Sequence, residues 1–374
     1  MNSTLENNTK KKRIAARPPP IGSTGAIGWL RQNLFSNIFN SLLTLICIYG
    51  LILIIPAGID WGFLSSQFTG DDRFACQNTG ACWAWIDQRI GQFLFGFYPE
   101  QERWRPFLAF LLLIPALAPW LFDRVPAQKY LRIFSFVYPV ITTILLVGGF
   151  GLPNVASDKF GGFMLNLIVG LSGIVLSLPV GILLALGRRS RLPLVKWVCI
   201  GFIEIVRGVP LITLLFVSNI LLPIFLPPDA TLDSVVRVII MVTAFASAYM
   251  AEVIRGGLQA IPSGQYEAAK AMGFNYFQSM RLVILPQALR ISIPGIVNTF
   301  IGLFKDTTLV IVIGLFDILG IANAMVANPD WLGLSTETYV FVASFFFVIC
   351  FSMSRYSMWL ERRLGTKGST GWSS

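Results

Sequence analysis

The chain has 374 residues, a formal net charge of +10 and no histidine; 55% of its residues are hydrophobic and 13% charged. That balance is far more apolar and less charged than soluble domains show, which excludes a water-soluble fold. The missing imidazole removes the commonest general base, proton shuttle and zinc ligand together, so no catalytic residue and no metal site is expected.

From the start of the chain, residues 1–33 are polar and basic, with Lys10, Lys11, Lys12, Arg13, Arg17 and Arg31. They lack the short basic start and immediate apolar core of a cleavable signal peptide. A disordered cytoplasmic tail is expected, one that fixes orientation and touches membrane lipid rather than nucleic acid. Charge-free stretches follow at 32–59, 106–122, 133–157, 161–187 and 338–354, each near the length of about 20 helical residues that crosses a hydrocarbon core.

Hydropathy gives eight spans, at about 35–57, 105–122, 132–152, 162–187, 197–226, 235–254, 289–320 and 337–358, the fifth and seventh long and interrupted. The expected fold class is an all-α integral membrane protein. Residues 34–160 form a three-helix extension with an outer, periplasmic loop at about 60–103, and residues 161–364 form a five-helix core with a cytoplasmic stretch at about 255–288. The Gly/Ser-rich end, 365–374, is expected to be flexible. Basic residues gather on alternate connections (Arg124, Lys129 and Arg132; Arg188, Arg189, Arg191 and Lys196; Arg255, Lys270, Arg281 and Arg290; Arg355, Arg362, Arg363 and Lys367). A multi-pass chain with both termini cytoplasmic follows from that asymmetry.

The outer loop carries Cys76 and Cys82, candidates for a short disulfide if it faces an oxidising compartment, with two free thiols as the alternative. Cys47, Cys199 and Cys350 lie in apolar runs and read as small buried hydrophobes. Trp61, Trp83, Trp85, Trp104 and Trp331 are expected at the membrane–water boundary.

Between the sixth and seventh spans, residues 261–275 read IPSGQYEAAKAMGFN. Pro262 and Ser263 mark a helix start, the Ser263 hydroxyl capping free N–H groups, and the Ala-rich run is helical. Gly273 supplies a left-handed stop, and Asn275 caps a second helix running to Leu285-Pro286. Tyr266, Ala269, Met272 and Phe274 have no spanning role here, so a partner's groove is their expected destination.

Glu267-Ala268-Ala269, Gly273 and Leu285-Pro286 have the spacing of the EAA signature, and the sequence here resembles the permeases of ATP-binding-cassette importers, with Val283 in place of the usual isoleucine. Gln287-Ala288-Leu289-Arg290, Pro294, Asn298 and Lys305-Asp306-Thr307-Thr308-Leu309 resemble the polar amino acid branch, as do Glu204, Arg207-Gly208, Pro210-Leu211 and Ala248-Tyr249 to Glu252. The likeness covers about 161–364, while length and the three extra spans resemble the larger permeases of general L-amino acid, glutamate/glutamine and cyanobacterial neutral amino acid systems.

The resemblance implies the transmembrane core of a type I importer in a bacterial inner membrane, moving broad-range or acidic and neutral L-amino acids by alternating access. It implies that Glu267, Ala268, Ala269, Met272, Gly273 and Phe274 form a coupling helix seated on a separate ATPase. The implied partners are two ATP-binding subunits, a second permease with a related chain preferred over an identical one, and a periplasmic amino-acid-binding protein. ATP and Mg belong to the ATPase. This chain holds no cofactor and, having no Gly-Lys dipeptide, no phosphate-cradling loop.

Charges inside apolar helices each need a partner or a task. Glu204 and Arg207, three residues apart, read as a mutual ion pair. Arg237 reads as interfacial at an outer helix end. Lys305 and Asp306 lie far from either surface between charge-free runs. Asp306 is the candidate ligand for a substrate ammonium, with Thr307 and Thr308 beside it and Lys305 paired elsewhere; helix tying is the bland alternative. Arg207, Tyr249 and Asn298 complete the candidate substrate pathway. A stand-alone secondary transporter or channel is the rival reading, and it would need no coupling segment.

Overall fold

The computed structural model describes residues 25–70, 76, 79–122, 124–225, 227, 232–328 and 333–365. Among them the chain is helical, and only isolated bridges interrupt the helices. It divides into two compact units, residues 1–67 with 77–81, and residues 68–76 with 82–374.

The first unit holds α1 (Gly25–Asn33) and α2 (Ile38–Ile59). Asn37 starts α2, its side chain accepting from the Asn40 N–H at 2.8 Å, and a π turn at Asp60–Leu64 extends it to a largely apolar stretch of 27 residues. No residue of α2 is buried, as suits a helix surrounded by a nonpolar medium. The helix α1 falls inside what was expected to be a disordered tail, whose residues 1–24 lie outside the described region, as do 366–374. Gly80 lies against the backbone of Ser65 and Ser66, where a Cβ would clash.

In the second unit the outer loop is more ordered than its polarity suggests. Cys76 and Cys82 are disulfide-bonded, and α3 (Ala84–Phe95) follows. Of the tryptophans expected at the membrane boundary, Trp85 is buried, its indole N–H donating to Thr338 Oγ1 at 3.1 Å, whereas Trp104 is half exposed; Trp331 lies outside the described residues. Trp85, Phe93, Ile318, Ile321, Ala322 and Val342 share one apolar cluster, so α3 is core structure. Next, α4 (Trp104–Leu121) and α5 (Gln128–Val147) pack as a hairpin. Fully buried Arg105 pins its outer end by donating to the Leu145 and Pro153 carbonyls.

The centre is α10 (Ser234–Gln259), packed against both α6 (Gly162–Arg188) and α13 (Leu285–Asp306). Small residues let the backbones approach, the usual device where lipid supplies no hydrophobic drive between helices. A Cβ on Gly181 would strike Met250, one on Gly173 would crowd Val242 and Leu303, and one on Gly257 would strike Ser292 and Ala288. These contacts fix direction: α6 and α10 run parallel, and α13 runs against both.

Between α6 and α10 the chain makes α7 (Pro193–Gly208), α8 (Leu211–Phe216), a π turn at Val217–Leu221 and α9 (Leu222–Phe225). The expected fifth span is bent by 105° at Val209-Pro210, where Pro210 contributes no N–H to a continuing helix. Past it comes the candidate coupling segment, α11 (Ser263–Ala271) and α12 (Tyr276–Ser279), which leads through a π turn into α13. The expected seventh span also breaks: α13 ends at Asp306, a 3₁₀ stretch covers Thr307–Ile313, and Gly314 turns at φ +82°. Helices α14 (Ile318–Val326) and α15 (Ser335–Gly365) complete the unit.

Candidate functional site

Three groups of residues carry the candidate chemistry. The first is the coupling segment. Gly273 stands at φ +78°, and the Phe274 N–H returns to the Ala269 carbonyl at 3.2 Å, closing α11. Asn275 and Gln278 exchange side-chain and backbone hydrogen bonds in a capping box for α12. The expected Ser263 hydroxyl cap is not formed: Pro262 is the cap residue, without a side-chain bond, and Ser263 begins the helix.

Exposure there differs from expectation. Glu267, Ala268 and Met272 are exposed, Phe274 is half-buried and Ala269 is buried. Tyr266 is turned into its own chain, accepting from Arg189 Nη1 at 3.3 Å and donating to the Leu258 carbonyl at 3.2 Å. The free apolar surface consists of Met272, Tyr276 and Phe277. The latter two follow Asn275 and stand outside the Ala-rich run, where sequence reading sought the contact.

The second group is a charge cluster between α6, α7 and α10. Arg188 Nη1 lies 2.9 Å from Glu204 Oε1 and 2.7 Å from Glu252 Oε1. Glu252 Oε2 takes Arg255 at 2.7 Å and has Arg207 Nη1 at 3.8 Å. The expected Glu204–Arg207 pair is therefore replaced: each residue reaches across to another helix, because Arg188 offers Glu204 a bidentate-capable donor closer than its own helix neighbour does. Arg207 also covers the Tyr249 ring at 5.5 Å, which brings two pathway candidates together. Sequence reading counted Arg188 only as an orientation charge, since nothing in its spacing points to carboxylates on other helices.

The third group lies where α13 breaks. The Asn166 amide donates to Thr307 Oγ1 at 2.8 Å and to Asp317 Oδ2 at 3.0 Å, and its carbonyl accepts from the Ile318 N–H at 3.0 Å. Asp317 also caps α14 by accepting from the Gly320 N–H at 2.9 Å. Asn166, Thr307 and Asp317 are all fully buried, so Thr307 is a strut, with its hydroxyl spent on Phe304 and Asn166. Thr308 likewise bonds back to the Lys305 carbonyl at 2.9 Å.

That leaves the side chains of Lys305, exposed, and Asp306, half-buried, with no ion pair among the described residues. The expected partner for Lys305 is thus not found there. Both sit level with the first half of α6, since the adjoining Phe304 and Thr307 pack beside Gly170, only eight residues into that helix. Asn298 is exposed on α13, earlier along the helix. Arg237 donates to the Asn219 carbonyl at 3.0 Å and to Ser234 Oγ at 2.8 Å, bracing the π turn of the bent span. Asn166 was missed altogether; a lone amide in a run of apolar residues is the signal that marks it.

Comparison with known proteins gives the family. The family described as binding-protein-dependent transport system inner membrane component matches residues 177–366. The inner membrane amino-acid ABC transporter permease protein YhdY of Escherichia coli is 48% identical over 94% of this chain and 96% of its own length. The glutamate/glutamine/aspartate/asparagine transport system permease protein BztC of Rhodobacter capsulatus is 44% identical over 95% of this chain and 97% of its own. A solved structure described as an amino acid ABC transporter with histidines is 29% identical, with a TM-score of 0.48, over 54% of this chain and 92% of that one. Given the two relatives matched over most of its length, the chain belongs to the inner membrane components of binding-protein-dependent transport systems, as a multi-span permease subunit of an amino-acid transporter.

Proposed function

We propose that this chain is the translocation-pathway subunit of an importer for L-amino acids, driven by a separate ATPase that docks on α11 and α12. The observation that carries the reading is a rigid two-helix projection with Met272, Tyr276 and Phe277 exposed, on a chain with no phosphate-binding loop of its own. Apolar side chains held out on a capped turn favour a partner's groove. The substrate class rests on the names borne by the two full-length relatives, one of them named for glutamate, glutamine, aspartate and asparagine transport. In this reading two ATP-binding subunits, a second permease and a soluble amino-acid-binding protein complete the assembly in the bacterial inner membrane, with both termini of this chain cytoplasmic. Asp306 and Lys305, with no ion pair among the described residues, are the charged groups offered to an amino acid's ammonium and carboxylate.

Reconstitution tests this directly. Proteoliposomes holding the whole assembly, its binding protein and ATP are expected to accumulate labelled glutamate or glutamine, and vesicles with this chain alone are expected to accumulate none. ATP-independent uptake by the lone chain would overturn the reading.

A further inference from the structure

Two consecutive arginines at the C-terminal end of α6, its last residue Arg188 and the cap residue Arg189, face different parts of the molecule. Arg188 holds the intramembrane carboxylates Glu204 on α7 and Glu252 on α10, at 2.9 and 2.7 Å. Arg189, the next residue, holds Tyr266 of α11: its guanidinium donates to the phenol oxygen at 3.3 Å and lies 5.9 Å from the ring centroid. The same phenol donates to the Leu258 carbonyl, at 3.2 Å, near the end of α10. Tyr266 is therefore clamped between the ends of α6 and α10, and no other residue of α11 is held by side-chain bonds to both.

We infer that the Arg188-Arg189 pair is the positioning link that carries movement of the coupling segment to the charge cluster of the transport pathway. This rests on the reading of α11 and α12 as the ATPase dock. Adjacent residues at a helix end move as one body, so a shift of α11 that draws Tyr266 also draws Arg189, and with it Arg188. Arg188 bridges carboxylates on two helices, and a change in its position changes how closely α7 approaches α10. The far side of the cluster is Arg207, 3.8 Å from Glu252 and stacked on Tyr249. A contiguous path thus runs from the dock to the candidate pathway: the Arg189–Tyr266 hydrogen bond, the backbone joining Arg189 to Arg188, the Arg188–Glu252 ion pair, and the looser approach of Arg207 to Glu252 at 3.8 Å.

The link lies within one chain and survives a change of partner, and it makes a demand that packing does not. Shortening or neutralising either arginine should separate hydrolysis from movement, and Tyr266→Phe, which keeps the ring, should do the same by losing the hydroxyl. The test uses the assembled transporter in proteoliposomes, with uptake and ATP hydrolysis measured on the same vesicles for Arg188→Gln, Arg189→Gln, Tyr266→Phe and the double arginine variant. Uptake per ATP is expected to fall about tenfold in each single variant, with the ATPase still co-purifying. The double variant should be no worse than the worse single one, because links in series do not add. Unchanged uptake per ATP in Tyr266→Phe, or equal loss of uptake and hydrolysis with a lowered melting temperature, would overturn the link; if the arginine variants fail to assemble, Tyr266→Phe decides alone. Failure of the wild-type chain to retain its ATPase would instead overturn the dock itself.

Discussion

Glu252 is the carboxylate on which the charge cluster turns. Three guanidinium groups, from Arg188, Arg207 and Arg255, lie within 4 Å of it, and its side chain is 16% exposed against 54% for Glu204. Removing it leaves three like charges close together with little water to screen them, whereas removing Glu204 leaves Arg188 its bond to Glu252. Glu252→Gln is therefore expected to lower stability in detergent by about 1–3 kcal/mol, and Glu204→Gln by less than about 1 kcal/mol, read as the shift in melting temperature. The reverse order would mean that Glu204, not Glu252, is the centre. Asp306 poses the opposite case, a half-buried carboxylate with no ion partner among the described residues and flanking hydroxyls turned back to their own helix. Asp306→Asn keeps the shape and removes the charge. If Asp306 binds the substrate ammonium, half-saturation for uptake should rise about tenfold or more with yield unchanged, the size of a lost hydrogen bond to a charged group. A fall in yield with half-saturation unchanged would make Asp306 a strut like Thr307.

Among the elements, the coupling segment was legible because its signals are local: a helix-forming run, a glycine at the stop and an Asn cap all act within a few residues. Gly273 is the sharpest of these. An added Cβ would meet nothing within 4 Å, so substitution there is opposed by the φ of +78° alone. Gly273→Asn, which tolerates left-handed backbone, is expected to retain the ATPase on co-purification, and Gly273→Val to lose most of it. Equal retention by both would show that the turn does not set the dock. The helix α3 was not legible, since Asp87, Gln88, Arg89 and Gln92 interrupt its apolar residues and its region's partners are far along the chain: Trp85 bonds Thr338, and the Cys82 N–H reaches Glu337 at 3.4 Å. Trp85→Ala should lower stability by about 3–5 kcal/mol, the usual effect of emptying a buried aromatic site. A change under about 1 kcal/mol would return α3 to the status of a surface loop. The bend at Pro210 and the break after Asp306 were read from the sequence only as interruptions, because hydropathy reports burial in lipid and not direction.

Direction is settled at the scale of the whole second unit, and it decides how many times the chain crosses. Among the described residues seven helices are long and apolar enough to span, and α7 to α9 form a pair bent by 105° that counts as an eighth crossing only if it traverses the membrane. Gly173 meets Val242, Gly181 meets Met250 and Arg188 meets Glu252, so residue numbers rise together along α6 and α10. Two parallel helices in sequence need a return between them, and α7 to α9 is the only segment available to make it. The geometry thus favours counting the bent pair as a crossing, as the eight spans read from the sequence require, and eight crossings predict termini on one side. The positive-inside rule predicts that this side is cytoplasmic, since lysine and arginine gather at the α4–α5 and α6–α7 connections and at the end of α15. In a chain whose free cysteines Cys47, Cys199 and Cys350 are replaced by serine, Glu100→Cys is expected to react with a membrane-impermeant maleimide on intact cells. Arg191→Cys, in the short exposed connection between α6 and α7, should react only after permeabilisation. Labelling of Arg191→Cys on intact cells would place the α6–α7 connection outside and reverse the assigned sidedness, and with it the placement of the coupling segment against a cytoplasmic ATPase.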